Sequence, residues 1–386
     1  GAEKVSLDVI KLLKDLDYSV DILTLDKTNR QKILKLRKLD ISKYVDSEIV
    51  VFTYKLPTVY SSFVGWLFRD LIAVPFLKKR YDLTITTCEL SPMVFTDILY
   101  LHSIDWSIMH PYNIVYQKLS SNRFSRVYSG PYWHFAHYVS ELFKSRSCKP
   151  IIVTNSGFSR SMIENYLDVK PLVICPSVDI DAYIPLSNSL NRVNTVLTIS
   201  RFNEGKRLET IIDVAKRIRS KAKFVILGST DSWSAEKYVN KLHKRAKEAG
   251  VDCRVSLVVN ASDDEKMRWL SEAKILLHPT RGEPFGIAIV EGMASGLVPI
   301  VHESGGAWTD IVNYGKRGFG FQDNQEAASV VDDILTNHNL YEEYKTLAIK
   351  GSLYFSEERF REQFAGLVNL VQSMKNKKKG DGRQSK

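Results

Sequence analysis

Short apolar runs alternate along this chain with longer stretches in which apolar residues recur every three or four positions, the patterns of buried strands and of amphipathic helices. The opening segment puts Val5, Val9, Leu12, Leu13 and Leu16 on one side of a helix. Strands are then predicted at 18–25, 49–54, 83–87, 97–101 and 151–155, a helix at 159–166 and a further strand at 173–175. An α/β domain normally opens on a strand, so the reading is of a first domain whose initial strand is missing from this numbering. The stretch Pro176 to Asn194 is rich in Pro, Ser and Asn and breaks the alternation, as a linker does. The alternation then resumes, with strands at 195–200, 223–227, 255–258 and 275–277 and helices at 208–220, 235–249 and 263–272. Next come the loop Thr280-Arg281-Gly282-Glu283-Pro284-Phe285-Gly286, a helix at 287–295, a strand at 297–301 and the turn Gly305-Gly306. Helices near 326–336, 340–350 and 357–374 close the series.

Strands alternating with helices predict parallel sheets covered on both faces. The expected architecture is α/β: two doubly wound, Rossmann-like domains facing across a cleft. The expected division is a first Rossmann-like domain at 1–180, a linker at 181–194 and a second Rossmann-like domain at 195–355. A helix at 356–374 returns to the first domain, and a disordered basic tail follows at 375–386. Ligands of such sheets sit outside the carboxyl ends of the strands, which is where the glycine-bearing loops fall.

The chain has 386 residues, too many for one ordinary core, and its 44% hydrophobic and 25% charged fractions suit a water-exposed globular protein. A net charge of +10 points to an anionic partner without choosing among a phosphorylated small molecule, an anionic lipid surface and nucleic acid. Cys88, Cys148, Cys175 and Cys253 stand singly, the pattern of reduced and mostly buried thiols in the cytosol, and no metal site is visible. The most apolar region, Leu56 to Leu77, is interrupted by Arg69 and Asp70 and makes a poor spanning helix. Phe63 to Phe76, with Trp66, Phe68 and basic flanks, reads instead as a surface that meets an anionic membrane.

Four features carry candidate chemistry. Arg201 and Lys206 follow a strand directly and can clamp a diphosphate, although two solvated cations at a helix start would look the same. Phe285, Gly286 and Ile287, after Pro284, mark a helix entry whose free N–H groups favour an anion. Glu283 and Glu291 are separated by seven residues. Paired carboxylates serve glycoside hydrolysis, but beside a phosphate site hydroxyl-binding roles fit better, Glu283 on a sugar and Glu291 on a ribose. His102 ends a first-domain strand and can reach the cleft from the other side, or serve only in packing. One ligand, a nucleoside-diphosphate sugar, explains all of these together.

These residues resemble a known family, the retaining GT-B glycosyltransferases of glycosyltransferase family 4. Glu283 to Glu291 matches its E-x7-E pattern and Arg201 with Lys206 its R-x4-K clamp. Pro176-Ser177-Val178-Asp179 resembles the family's P-x-x-V-D segment, and Gly1-Ala2-Glu3 the end of its G-G-A-E loop. Further segments, from Tyr100 to His102 and from Val301 to Gly306 with Asp310, are similar to the members that transfer mannose from GDP-mannose to dolichol-linked oligosaccharide. The resemblance implies catalytic roles for His102, Arg201, Lys206 and Glu283. It implies donor contacts from Gly1, Ala2, Arg201, Lys206, Glu283, Pro284, Phe285, Gly286, Ile287 and Glu291. It further implies no cofactor and no metal, a polyprenyl- or dolichyl-phosphate-linked glycan acceptor, no nucleic-acid partner, and a peripheral place on the cytoplasmic face of a membrane. The alternatives are a UDP-sugar-dependent glucosyl- or N-acetylglucosaminyltransferase and a non-catalytic basic membrane-binding protein of the same fold.

Overall fold

The structure is a computed structural model that describes residues 2–24, 27–37, 39–50, 74–87, 96–102, 150–230 and 233–384. In the first half these form α1 (Ala2–Asp15), β1 (Asp21–Thr24), α2 (Arg30–Arg37), β2 (Ser47–Val50), α3 (Val74–Lys78), β3 (Ile85–Thr86), β4 (Ile98–Leu101), β5 (Ile151–Thr154), α4 (Gly157–Leu167) and β6 (Leu172–Val173). Across the junction lies α5 (Ile180–Tyr183), followed by β7 (Thr195–Ile199), α6 (Glu209–Arg217), β8 (Lys223–Gly228), α7 (Trp233–Glu248), β9 (Val255–Val259) and α8 (Asp263–Glu272). The chain continues through β10 (Ile275–His278), α9 (Ile287–Ala294), β11 (Val298–His302), β12 (Phe319–Phe321), α10 (Asn324–Thr336), α11 (His338–Ser352) and α12 (Glu357–Gln384).

The second domain holds one six-stranded parallel sheet in the order β12-β11-β10-β7-β8-β9. Its central strands are apolar on both faces: β10 is buried along its whole length, as a sheet flanked by two helical layers requires. Two hydrophobic clusters cover those faces. One is built around Phe224, Leu242 and Val331, the other around Leu276, Val290 and Phe355. Winding starts at β7 and runs through β8 to β9, then crosses back to β10 and runs the other way to β12. The reversal therefore lies between β7 and β10, which pair directly through Ile275 and Val196. At such a switch point the loops leaving neighbouring strands diverge and open a crevice.

The first domain contains a four-stranded parallel sheet, β3-β4-β5-β6, and a two-stranded parallel sheet, β1-β2. A cavity of about 1020 Å³ lies between the two sheets, lined by Leu7, Ile10 and Leu13 of α1, by β1 and by β3. After crossing to the second domain the chain returns. Val5, Val9 and Leu12 of α1 pack on Phe360, Phe364, Leu367, Val368 and Val371 of α12. At this crossing Lys4 Nζ donates to Asp8 Oδ2 at 3.0 Å, to Ser177 Oγ at 2.8 Å and to Glu357 Oε1 at 3.1 Å, joining α1, the junction and α12.

Three expectations need correction. The stretch read as a linker holds α5 and a 3-10 turn at Ile184–Asn188, because Asp179 caps α5 with a side-chain hydrogen bond and Pro185 suits a first turn. The tail read as disordered from Lys375 continues α12 to Gln384; Lys375 is fixed by ion pairing to Asp97 at 2.9 Å, so its charge marks a contact rather than a loose end. The short strand β12, with Gly320 at its centre, was not expected at all. Of the cysteines, Cys253 is exposed and Cys175 half-buried, and Cys88 and Cys148 lie outside the described residues.

Phe364 is fully buried in the α1–α12 contact. Phe364→Ala is expected to lower stability by about 3–5 kcal/mol, read as a fall in the chemical-denaturation midpoint; a change below about 1 kcal/mol would show that α12 is not anchored there.

Candidate functional site

The carboxyl ends of β7 and β10 bring the two loops singled out in the sequence into contact. Lys206 closes a 3-10 turn, Glu204–Lys206, capped by Asn203, whose side chain accepts from Gly205 N. Its ammonium reaches Glu283 Oε2 at 2.6 Å. On the other side His278 Nε2, at the last position of β10, lies 3.1 Å from the same oxygen. Burial alone would push the Glu283 carboxyl up, but the Lys206 charge and the His278 hydrogen bond outweigh it and hold it far below the usual carboxylate range. Glu283 is thus an ionised group in a shielded site. Arg201 stands exposed on the same loop as Lys206 and makes no ion pair among the described residues.

Glycines fix the shape of the Glu283 loop. Gly306 N donates to Glu283 O at 2.8 Å, and Gly282 N donates to Ser304 Oγ at 2.8 Å, so two loops run side by side. A Cβ on Gly305 would lie 2.4 Å from Glu283 O, and one on Gly306 would lie 2.1 Å from Pro284 O. Gly286 adopts φ +111° and stands at the N-cap of α9 without a side-chain hydrogen bond. The first turn of α9 therefore keeps backbone donors available for an anion. The Phe285 side chain turns into the core, edge-on to Phe355 with ring centroids 5.4 Å apart.

Glu291 lies one turn into α9. Its Oε2 accepts from Lys266 Nζ at 2.7 Å and its Oε1 from Tyr183 OH at 3.0 Å. Sequence reasoning missed Lys266, Tyr183 and His278, although each is a polar residue on an element that adjoins the site. It also gave no separate role to His302. Burial, with the charges of Arg281 and Arg207, holds the His302 imidazole neutral with its pKa lowered to about 4, and its Nδ1 is hydrogen-bonded to Ser304 Oγ at 2.8 Å.

His102 follows β4 and is buried. Its Nε2 donates to Thr87 O at 3.2 Å, and burial lowers its pKa to about 4, so the ring is neutral at physiological pH. Nδ1 is then an acceptor with no partner among the described residues. A chain of contacts joins this wall to the other. Asn155 Nδ2 donates to His102 O at 2.5 Å, and two residues on the first turn of α4 is held from the second domain. There Gly157 N donates to Asp310 Oδ1 at 2.6 Å and Phe158 N to Asp310 Oδ2 at 3.3 Å. Ala2 opens α1; its side chain, and Gly1 entirely, lie outside the described residues, as do Trp66 and Phe68. Phe76, in α3, is 59% exposed. No helix among the described residues is long and apolar enough to cross a membrane.

Residues 179–351 match the family described as glycosyl transferases group 1. Over most of its length the chain is similar to two curated proteins named GDP-Man:Man(3)GlcNAc(2)-PP-Dol alpha-1,2-mannosyltransferase. That of Dictyostelium discoideum is 24% identical over 341 residues, 83% of this chain and 65% of the relative. That of Homo sapiens is 25% identical over 327 residues, 80% of this chain and 63% of the relative. The chain thus spans somewhat less than two thirds of the length of these relatives. Among solved structures, sucrose-phosphate synthase from Thermosynechococcus elongatus superposes with a TM-score of 0.72 at 14% identity, covering 97% of this chain and 94% of that one. The fold is GT-B, with the two parallel-sheet domains that the alternation of elements predicts.

Replacing Lys206 by Met leaves His278 as the remaining partner of the Glu283 carboxylate. In the parent the depressed carboxyl contributes stability above its unfolded value near pH 4.3 and loses it only as pH falls below that. In Lys206→Met the folded carboxyl rises toward its unfolded value, so less stability is expected to be lost on acidification than in the parent, read from denaturation midpoints between about pH 3 and 7; superimposable profiles would contradict the pairing.

Proposed function

We propose that this chain, which carries a glycosyl transferase group 1 domain at residues 179–351, transfers mannose from GDP-mannose to a dolichol-linked oligosaccharide, with retention of configuration and without a metal or other cofactor. The observation that carries the reading is the meeting of Lys206 and Glu283 at the β7–β10 switch point, beside the uncapped start of α9. A nucleoside-diphosphate sugar needs cations and backbone donors for its diphosphate and carboxylates for its hydroxyls, and this crevice supplies them within two adjoining loops. The donor and acceptor are chosen by the names of the two mannosyltransferases above.

In this reading the departing diphosphate gathers negative charge as the glycosidic bond breaks. Arg201, Lys206 and the amides of Gly286 and Ile287 meet that charge, which is electrostatic stabilisation of the leaving group. Glu283 accepts from hydroxyls of the transferred sugar. Its pairing with Lys206 keeps it ionised before the donor arrives, and the diphosphate then draws on the Lys206 charge. Glu291 accepts from the ribose. The neutral His102 presents Nδ1 as an acceptor to the sugar from the first domain. Ala2, the first residue of α1, borders the donor from that side, and closure of the domains excludes water. The acceptor's lipid places the protein at the cytoplasmic face of an anionic membrane, with exposed Phe76 and the segment before it as the contact surface.

Arg201→Ala and Lys206→Ala are each expected to lower kcat/KM for mannosyl transfer by about 10²–10³-fold, while Glu283→Ala reduces transfer more than it weakens GDP binding. The assay uses purified full chain, dolichol-linked oligosaccharide and GDP-mannose, with UDP-glucose and UDP-N-acetylglucosamine as competing donors and NMR of the product anomer. Full turnover by Lys206→Ala, preference for a UDP-sugar, or an inverted anomer would each overturn the corresponding part.

A further inference from the structure

The carboxylate of Glu291 belongs to a closed ring of three side chains from three separate elements. Lys266, on α8, donates to Glu291 Oε2 at 2.7 Å and also to Tyr183 OH at 3.0 Å. Tyr183, the last residue of α5 at the domain junction, donates its own hydrogen to Glu291 Oε1 at 3.0 Å. The Lys266 ammonium also sits 5.2 Å from the centroid of the Tyr183 ring, so the aromatic face and the hydroxyl both hold it. The ring is well shielded, with side-chain exposures of 21% for Lys266 and 13% for Glu291. Burial followed by the Glu291 charge pushes the Tyr183 phenol up to about 12. Burial alone would lower the Lys266 ammonium, but the Glu291 carboxylate outweighs it and raises it. The ring therefore keeps one fixed pattern of charges and protons at neutral pH.

We propose that Lys266 and Tyr183 are positioning residues that make the donor site read the ribose of its nucleotide. The inference rests on the assignment of Glu291 to the ribose made above. An ionised carboxylate has about four acceptor positions, and the ring occupies one on each oxygen, leaving one on each for a hydroxyl. Two acceptors side by side in a locked plane match a vicinal diol. Two further physical consequences follow. The Lys266 charge offsets that of Glu291, so a carboxylate can stand one turn from the α9 start without repelling the diphosphate bound there. Tyr183 also ties the plane of the carboxylate to α5, the element through which the chain passes between its domains, so the diol contact is set by the junction as well as by α9.

The consequence is a separation of effects that general weakening of the fold does not produce. Tyr183 governs the part of binding due to the ribose hydroxyls and not the part due to the diphosphate, whereas Lys266 governs the ribose part and also screens the diphosphate from the Glu291 charge. The test measures affinities of the full chain for GDP, for 2′,3′-dideoxy-GDP and for inorganic diphosphate by calorimetry, in the parent, Lys266→Met and Tyr183→Phe. The parent is expected to prefer GDP over the dideoxy analogue by about ten- to a hundredfold. That preference is expected to collapse in Lys266→Met and to fall part of the way in Tyr183→Phe, which removes one hydroxyl and nothing else. Affinity for inorganic diphosphate stays within about twofold in Tyr183→Phe, and the KM for the donor rises in that variant while kcat is kept.

An undiminished preference for GDP in both variants would overturn the inference, as would a parallel loss of GDP and diphosphate binding in both. A parent that binds GDP and its dideoxy analogue equally would overturn it while leaving the diphosphate clamp intact. A parent that binds no nucleoside diphosphate would overturn the donor-site reading itself.

Discussion

A parallel sheet flanked by helices on both faces must reverse its winding, because right-handed crossovers that all run one way place every helix on one face. In the second domain that reversal falls between β7 and β10, and the rest of the site depends on it. Two strands that neighbour in space but lie far apart in the chain send their loops in opposite directions. The crevice between those loops is where a cation from one and a carboxylate from the other can meet without either belonging to the same local segment. Lys206 and Glu283 do so across 77 residues of chain.

Desolvation gives that meeting its force. A carboxylate as shielded as Glu283 is costly unless it is paired, and Lys206 and His278 together keep it charged. Glu291, also shielded, solves the same problem separately with Lys266 and Tyr183. The two carboxylates therefore do not behave as an interacting acid pair. Each has its own counter-charge, which suits two acceptors for hydroxyls and not an acid and a nucleophile sharing one bond. The glycine pair 305–306 supports this arrangement by backbone alone, since any side chain there would overlap Glu283 or Pro284.

The second dependence is between domains. Asp310 accepts from the first two amides of α4 across the cleft, adding to the helix's own cap, Ser156, whose side chain accepts from Ser159 N. On the far side α12 packs its Phe360 and Phe364 against α1, so the last helix of the chain serves the first domain's core. These two contacts set how the His102 wall stands toward the Glu283 loop, and the second couples segments from opposite ends of the sequence.

Much of this was legible beforehand. Buried parallel strands are apolar on both faces, so β7, β8, β10 and β11 announce themselves as short apolar runs. Loops at their carboxyl ends must then share one edge, which is why Arg201, Lys206, Glu283 and Gly286 could be grouped from chain order. The misses have physical reasons. Phe319–Phe321 is too short for periodicity to show, and the lysines after Met374 read as a solvated tail although Lys375 reaches back to Asp97. The linker's Pro and Ser content concealed capped turns. Lys266, Tyr183 and His278 carried no signal because an ion pair is a relation through space. The sequence by itself determined the alternation, hence the fold class and the edge on which a ligand lies. Only the tertiary structure decided which cation faces which carboxylate, because burial strips each charge of water and leaves it to whichever partner the packing brings within reach.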